Sequence, residues 1–196
     1  VSEDARHHVA AVEDALDAVS IPVRRAPRLV RGLDYYLRTV FEVISPELGE
    51  DTVICGGGRY DRLISDLGGA AVPGVGFAIG EDRLIEVLPQ SFKDRAFDER
   101  VVTVLPLGDG SVAPATALAR DLVRAGATVH TEVTGRSLKA GLKWSGKMNS
   151  SVAVILGEQE LAEGAALIRD LRRGEQEKAA LDRVVGRVVE LLRVEE

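Results

Sequence analysis

Within six positions, Arg31, Gly32, Leu33, Asp34, Tyr35 and Tyr36 combine a permanent cation, a flexible bend and two phenols. Further on, the stretch from Gly74 to Gly80 alternates glycine with apolar residues and then delivers Arg83 at the start of a predicted helix. A guanidinium is a fixed charge shaped for phosphate and carboxylate. Glycines inside a strand let a flat ligand approach the backbone closely. Together these residues point to the binding of a nucleotide beside a small polar molecule.

The elements that must position these residues divide the chain into two styles. Apolar Val9, Val12, Leu16 and Val19 form a helical stripe over residues 3–19, which Ile21-Pro22 ends. Thr39–Ile44 and Thr52–Cys55 read as strands joined by a turn with Ser45, Pro46 and Gly49. Gly56, Gly57 and Gly58 are expected to break the second strand and lead into a helix over Arg59–Leu67. Val75–Ile79 reads as a third strand and Glu81–Leu88 as a helix. Between Pro89 and Arg100 the pattern dissolves into mixed charge, and a domain boundary is expected there.

From Val101 the pattern is regular alternation. Strand Val101–Leu105 precedes a helix around Ala113–Ala125, then strand Thr128–Glu132, helix Ser137–Met148 and strand Ser151–Leu156. A turn leads to strand Ala165–Leu171, a second turn follows, and a helix over Lys178–Leu192 completes the series. Strands separated by such helices predict a three-layer α/β domain with a largely parallel sheet, whereas the first 90 residues read as an antiparallel α+β piece.

Composition sets outer limits. The 196 residues are 45% hydrophobic and 29% charged, with net charge −6 and mean hydropathy +0.04, in keeping with a globular chain. The acidic balance argues against indiscriminate nucleic-acid binding but leaves room for a local basic patch. No apolar run approaches the roughly 18 residues that cross a bilayer, and no secretory signal is visible. Cys55 is the only cysteine, so no internal disulfide forms, and a reducing cytoplasm is expected. His7, His8 and His130 are scattered, giving no metal-ligand cluster. The chain begins with Val1 and its only methionine is Met148; a piece of something longer is expected.

Several segments, in order, carry a resemblance. Leu29–Glu42 closely resembles the histidine-specific motif of histidyl-tRNA synthetases, and Cys55–Asp61 that family's second glycine-rich segment. Val75–Arg83 resembles motif 3 of class II aminoacyl-tRNA synthetases. Gly135–Lys139, Val154–Glu158 and Arg169–Gln176 resemble the family's anticodon-binding domain. The resemblance implies the C-terminal part of a class II catalytic domain, with an antiparallel α+β sheet, over residues 1–95. It further implies a three-layer α/β anticodon-binding domain over residues 100–196. Class II motifs 1 and 2 have no counterpart in these residues, so the isolated chain is expected to be inactive.

By the same resemblance, Arg31 is catalytic, reaching the α-phosphate of ATP and the histidine carboxylate. The plain alternative is a structural salt bridge to Asp34 or a surface arginine. Tyr35, Tyr36 and Tyr60 are implied in the histidine pocket, with Tyr36 as the ring contact, because neighbouring strand residues face opposite ways. Gly56, Gly57 and Gly58 would floor it. Gly76, Gly80 and Arg83 are implied in ATP binding, Arg83 by stacking on adenine; the alternative is an Arg83–Glu86 helix pair.

Arg136, Lys139, Lys143 and Lys147 recur at three- or four-residue spacing with no acid among them. They read either as an RNA-binding helical face or as a solvated one. Trp144 is assigned to packing, and His130 is read as structural. Implied partners are histidine, ATP with magnesium, and tRNA, with a homodimeric parent and no membrane. The parent reaction would be ATP-dependent activation of histidine and its transfer to tRNA. Alternatives are a synthetase-like regulatory subunit of histidine biosynthesis that lacks catalysis, and a module that only binds tRNA.

Overall fold

The computed structural model describes residues 2–49, 52–90 and 101–193. It divides into two compact units, Val1–Asp17 with Ile21–Arg95 and Ala96–Glu196 with Ala18–Ser20. The charged linker expected between Pro89 and Arg100 lies, from Ser91 on, outside the described residues. Among the described residues no helix is long and apolar enough to cross a membrane.

The first unit contains helix α1 (Glu3–Ala18) and an antiparallel sheet of β1 (Val40–Ile44), β2 (Val53–Arg59) and β3 (Val75–Ile79), ordered β1-β2-β3. Short helices α2 (Leu63–Asp66) and α3 (Glu81–Val87) follow β2 and β3. Contrary to the expectation from sequence, the glycines do not end the second strand. β2 runs through all three to Arg59, paired on both sides, with Phe41 and Phe77 opposite Gly57. Glycine is a poor strand former alone, but here two flanking strands satisfy its backbone and the neighbouring rings fill the space it leaves. The helix expected over Arg59–Leu67 shrinks to the four residues of α2.

The second unit is a five-stranded sheet ordered β5-β4-β6-β7-β8. Its strands are β4 (Val101–Leu107), β5 (Thr128–Thr131), β6 (Ser150–Gly157), β7 (Ala165–Asp170) and β8 (Gln176–Ala180). Helices α4 (Val112–Arg124), α5 (Leu138–Lys147), α6 (Glu158–Ala162) and α7 (Leu181–Arg193) connect or follow them. β4 pairs in parallel with β5 and β6, while β6–β7 and β7–β8 are antiparallel, so the sheet is mixed where a largely parallel one was expected. The difference arises at β7 and β8: the connections over 158–164 and 171–175 are too short for the crossover that a parallel strand needs, and the helix expected from Lys178 gives way at its start to strand Gln176–Ala180. Its Glu-Lys-Ala composition favours helix, yet pairing with β7 overrides so small a preference.

Both faces of this sheet are covered. Val102, Val104, Val152, Val154 and Ile168 pack with Leu118 and Leu122 of α4 and Val184 and Val188 of α7. Leu105, Ala153 and Ile155 meet Leu142 and Trp144 of α5 on the other side. Residues 150–157 are buried throughout, so the continuous apolar run of β6 marks a strand covered on both faces. α5 docks closely because Gly141 faces Leu105; the Thr103 hydroxyl, at 2.7 Å, donates to that of Ser145.

Candidate functional site

In the first unit, Gly56 and Gly58 share one face of β2, two residues apart. Glu42 of β1 lies opposite Gly56, and Gly76 of β3 opposite Gly58. Three side chains from outside the strands lie down on this face. A methyl group added at Gly56 would lie 2.7 Å from the guanidinium carbon of Arg31; one at Gly58, 2.6 Å from the Tyr36 ring; one at Gly76, 2.5 Å from the Tyr60 hydroxyl. All three approaches are closer than a Cβ permits, so the glycines seat the chain's own arginine and phenols.

Irregular backbone brings these groups in. The Leu37 N–H bonds to the Arg59 carbonyl at 2.7 Å and the Tyr60 N–H to that of Gly74 at 2.8 Å. Tyr35 and Tyr36 belong to no strand, so the expected division of one ring in and one out does not hold. Ring centroids of Tyr35 lie 4.8 Å from Tyr36 and 5.8 Å from Tyr60, making one aromatic cluster. Burial, and then the neighbouring Tyr36 phenol, push the Tyr35 phenol above its ordinary pKa.

Arg31 pairs with Glu42, not with Asp34. Its Nη1 donates to Glu42 Oε1 at 2.6 Å, with the side chains 27% and 19% exposed. Its Nε is buried without a hydrogen-bond partner. Sequence reasoning missed Glu42; its alternation with the apolar Phe41 and Val43 on β1 was the available signal. Arg83, in the first turn of α3, donates from Nη1 to the Val53 carbonyl at 2.6 Å. Val53 opens β2 three residues before Gly56, about 10 Å away at strand rise. Gly80 precedes α3, its N–H bonded to the Ile54 carbonyl at 2.9 Å.

In the second unit, Lys139, Lys143 and Lys147 are exposed on α5, which has no acidic residue. Arg136 precedes that helix and is not on its face, contrary to expectation. It does have an acidic partner. Glu132, 2% exposed, accepts from Arg136 Nη1 at 2.7 Å, from the Thr134 N–H at 2.7 Å and from the Arg136 N–H at 3.1 Å. The Thr134 hydroxyl also donates to it. Burial pushes the Glu132 carboxyl up, but these hydrogen bonds and the Arg136 charge outweigh it, holding the pKa below the usual range. The Arg136 guanidinium lies 5.4 Å from the centre of the Trp144 ring, and the His130 ring meets that indole edge-on at 6.4 Å. Trp144 therefore packs as expected and carries a cation as well.

Comparison with known proteins sets these two sites in one frame. A family model described as "Histidyl-tRNA synthetase" matches residues 2–84 and one described as "Anticodon binding domain" matches residues 101–191. A histidine–tRNA ligase of Symbiobacterium thermophilum is 41% identical over 186 residues, 93% of this chain and 43% of that protein. The chain belongs to the histidyl-tRNA synthetase family. A second histidine–tRNA ligase, of Desulforamulus reducens, is 41% identical over 91% of this chain and 43% of its own length. The chain thus spans less than half the length of these synthetase relatives, matching their C-terminal portion. A solved apo S. aureus histidyl-tRNA synthetase is 30% identical with TM-score 0.43, over 95% of this chain and 49% of that one.

Proposed function

We propose that the chain is the C-terminal part of a histidine–tRNA ligase, with histidine and ATP bound at the glycine face of the first unit and tRNA at the second. The observation that supports this reading is the seating of Arg31, Tyr36 and Tyr60 on Gly56, Gly58 and Gly76. A cation suited to phosphate and carboxylate thereby shares one sheet face with phenols able to pack against and hydrogen-bond an imidazole.

In the proposed reaction a histidine carboxylate oxygen attacks the α-phosphorus of ATP. The bond to the β-phosphate bridge breaks, and pyrophosphate leaves with its magnesium. Arg31 disperses charge on the five-coordinate phosphorus, an electrostatic contribution with no covalent step from the protein. A terminal ribose hydroxyl of tRNA then attacks the histidyl carbonyl, and AMP leaves. Tyr36 contacts the histidine ring, and Tyr35 and Tyr60 close the pocket; Gly57, expected in its floor, faces Phe41 and Phe77 on the other side of β2 and is left out of it. Gly76, Gly80 and Arg83 hold ATP, with Arg83 against adenine. Arg136, Lys139, Lys143 and Lys147 meet tRNA. A homodimeric parent in the cytoplasm belongs to the same proposal.

Two measurements test it: histidine-dependent exchange of pyrophosphate into ATP by the complete gene product, and equilibrium binding of histidine and tRNA to the purified chain. Exchange together with tRNA binding is expected. Binding of tRNA without exchange by the gene product would leave an RNA-binding module, and histidine binding without either would point to a regulatory relative.

A further inference from the structure

In the second unit the chain leaves the sheet in opposite directions after two adjacent parallel strands. After β4 it passes to α4, whose Leu118 and Leu122 pack on one face; after β5 it passes to α5, whose Leu142 and Trp144 pack on the other. In open α/β sheets such a divergence opens a crevice at the carboxyl ends of the two strands, the usual place for a ligand. Gly108 follows β4 here, and the segment Glu132–Arg136 follows β5.

We infer that an unpaired nucleobase of single-stranded RNA stacks on the outer face of the Arg136 guanidinium, and that Glu132 is the positioning residue that holds this plane against Trp144. The inference rests on the reading of the second unit as the tRNA-binding part and gives that site a chemical mode. One donor of Arg136 is already committed to Glu132, whose buried carboxylate is its counter-charge, which makes Arg136 a poor phosphate clamp. What remains is its flat surface. The guanidinium carbon lies over the indole, 5.4 Å from the ring centre, and the side chain as a whole stays 37% exposed. Guanidinium planes and aromatic rings are the platforms on which splayed bases stack, and duplex bases are not available for it. Lys139, Lys143 and Lys147, one turn apart on a helix without acids, supply the phosphate track beside it.

Trp144 is the only tryptophan, so its fluorescence reports on the platform directly. The intact chain is titrated with a short single-stranded oligoribonucleotide, its duplex form and a polyglutamate peptide, at several salt concentrations. Single-stranded RNA should bind best and quench Trp144. Arg136→Lys keeps the charge but removes the plane; it should weaken binding about tenfold, the scale of one stacked base, with the salt slope unchanged. Glu132→Gln retains an acceptor for the backbone N–H groups but loses the ion pair, and should show the same loss and a smaller quench. Lys139→Glu should lower the salt slope by about one or more and leave the quench intact. Single-stranded affinity unchanged in Arg136→Lys but reduced in Lys139→Glu would overturn the stacking inference while leaving the RNA reading in place. Binding of no RNA by the wild type, or tighter binding of polyglutamate, would overturn both.

Discussion

Arg31 has five N–H donors, of which one is committed to Glu42 and another, Nε, is buried without a partner. An arginine held this way is preorganised for charge that develops during a reaction. In the complete enzyme, Arg31→Ala should lower the adenylation rate about 10²–10³-fold, on the order of 3–4 kcal/mol of transition-state stabilisation. Steady-state kinetics decide it: a change confined to the KM for ATP would make Arg31 a ground-state binder only. The glycines beneath give a contrasting pair. In Gly56→Ala the new methyl meets the far end of a flexible arginine, 2.7 Å away; in Gly57→Ala it meets the Gly76 carbonyl oxygen at 2.3 Å, which is backbone. Gly56→Ala should therefore leave thermal stability almost unchanged yet lose adenylation much as Arg31→Ala does. Gly57→Ala should lower stability by about 1–3 kcal/mol, the usual scale of forced overpacking. Equal melting temperatures for the two variants would show that the strands yield more easily than this geometry allows.

Glu132 makes a residue-scale prediction about pH. Its carboxyl pKa is depressed in the folded state, so the stabilisation it supplies is fully present above the ordinary carboxylate value of about 4.3. That stabilisation is lost as pH falls through the lower folded value. Acid unfolding of Glu132→Gln should accordingly show a weaker pH dependence below about 4.3 than the wild type does. Identical acid transitions would mean that the carboxylate contributes nothing to stability.

At the scale of elements, α5 separates two roles by face. Gly141, Trp144 and Ser145 face the sheet, and Lys139, Lys143 and Lys147 face solvent. Reversing Lys139 and Lys143 to Glu should weaken tRNA binding and flatten its salt dependence while leaving histidine activation unchanged. Unaltered tRNA affinity at low salt would make the lysines an ordinary solvated face. Periodicity made this helix, the three strands of the first unit and most of the second unit legible in the sequence. It failed where local preference and pairing disagree. The Gly56–Gly58 run reads as a breaker until its two neighbouring strands are known, and Gln176–Ala180 reads as helix until β7 lies beside it. The partners of the two arginines were hidden for a related reason. Glu42 and Glu132 are eleven and four residues from their arginines, and only the folded sheet edge or loop brings each pair together. The glycine face was legible as a close-approach surface, but that Arg31, Tyr36 and Tyr60 occupy it was not.

The two units differ as whole objects in how much apolar surface they hide. Sixteen buried residues form one continuous cluster on one face of the second sheet, with a smaller cluster on the other. Among the described strands of the first unit, the buried apolar side chains are Ile54 and Cys55, while Val43, Val75, Phe77 and Ile79 remain exposed, Phe77 by 65%. Those four lie on the sheet face opposite Gly56 and Gly58 or along β3, an edge strand with unpaired backbone groups. The other edge, β1, is interrupted by a register shift at Val43/Ile44, and such irregularities blunt an edge against further pairing. Edge-to-edge association should therefore run through β3 more than through β1. An exposed apolar face beside an open edge favours association, and so small a core leaves little cooperative stability. Expressed separately, residues 100–196 should be monomeric and unfold in one cooperative transition, whereas residues 1–95 should self-associate as concentration rises. Phe77→Lys on β3, which adds charge to that edge, should reduce the association. Light scattering on the two pieces and this variant checks the argument. A first piece that stays monomeric at high concentration would show that its exposed face and edge are not adhesive. Association undiminished in Phe77→Lys would move the contact away from β3.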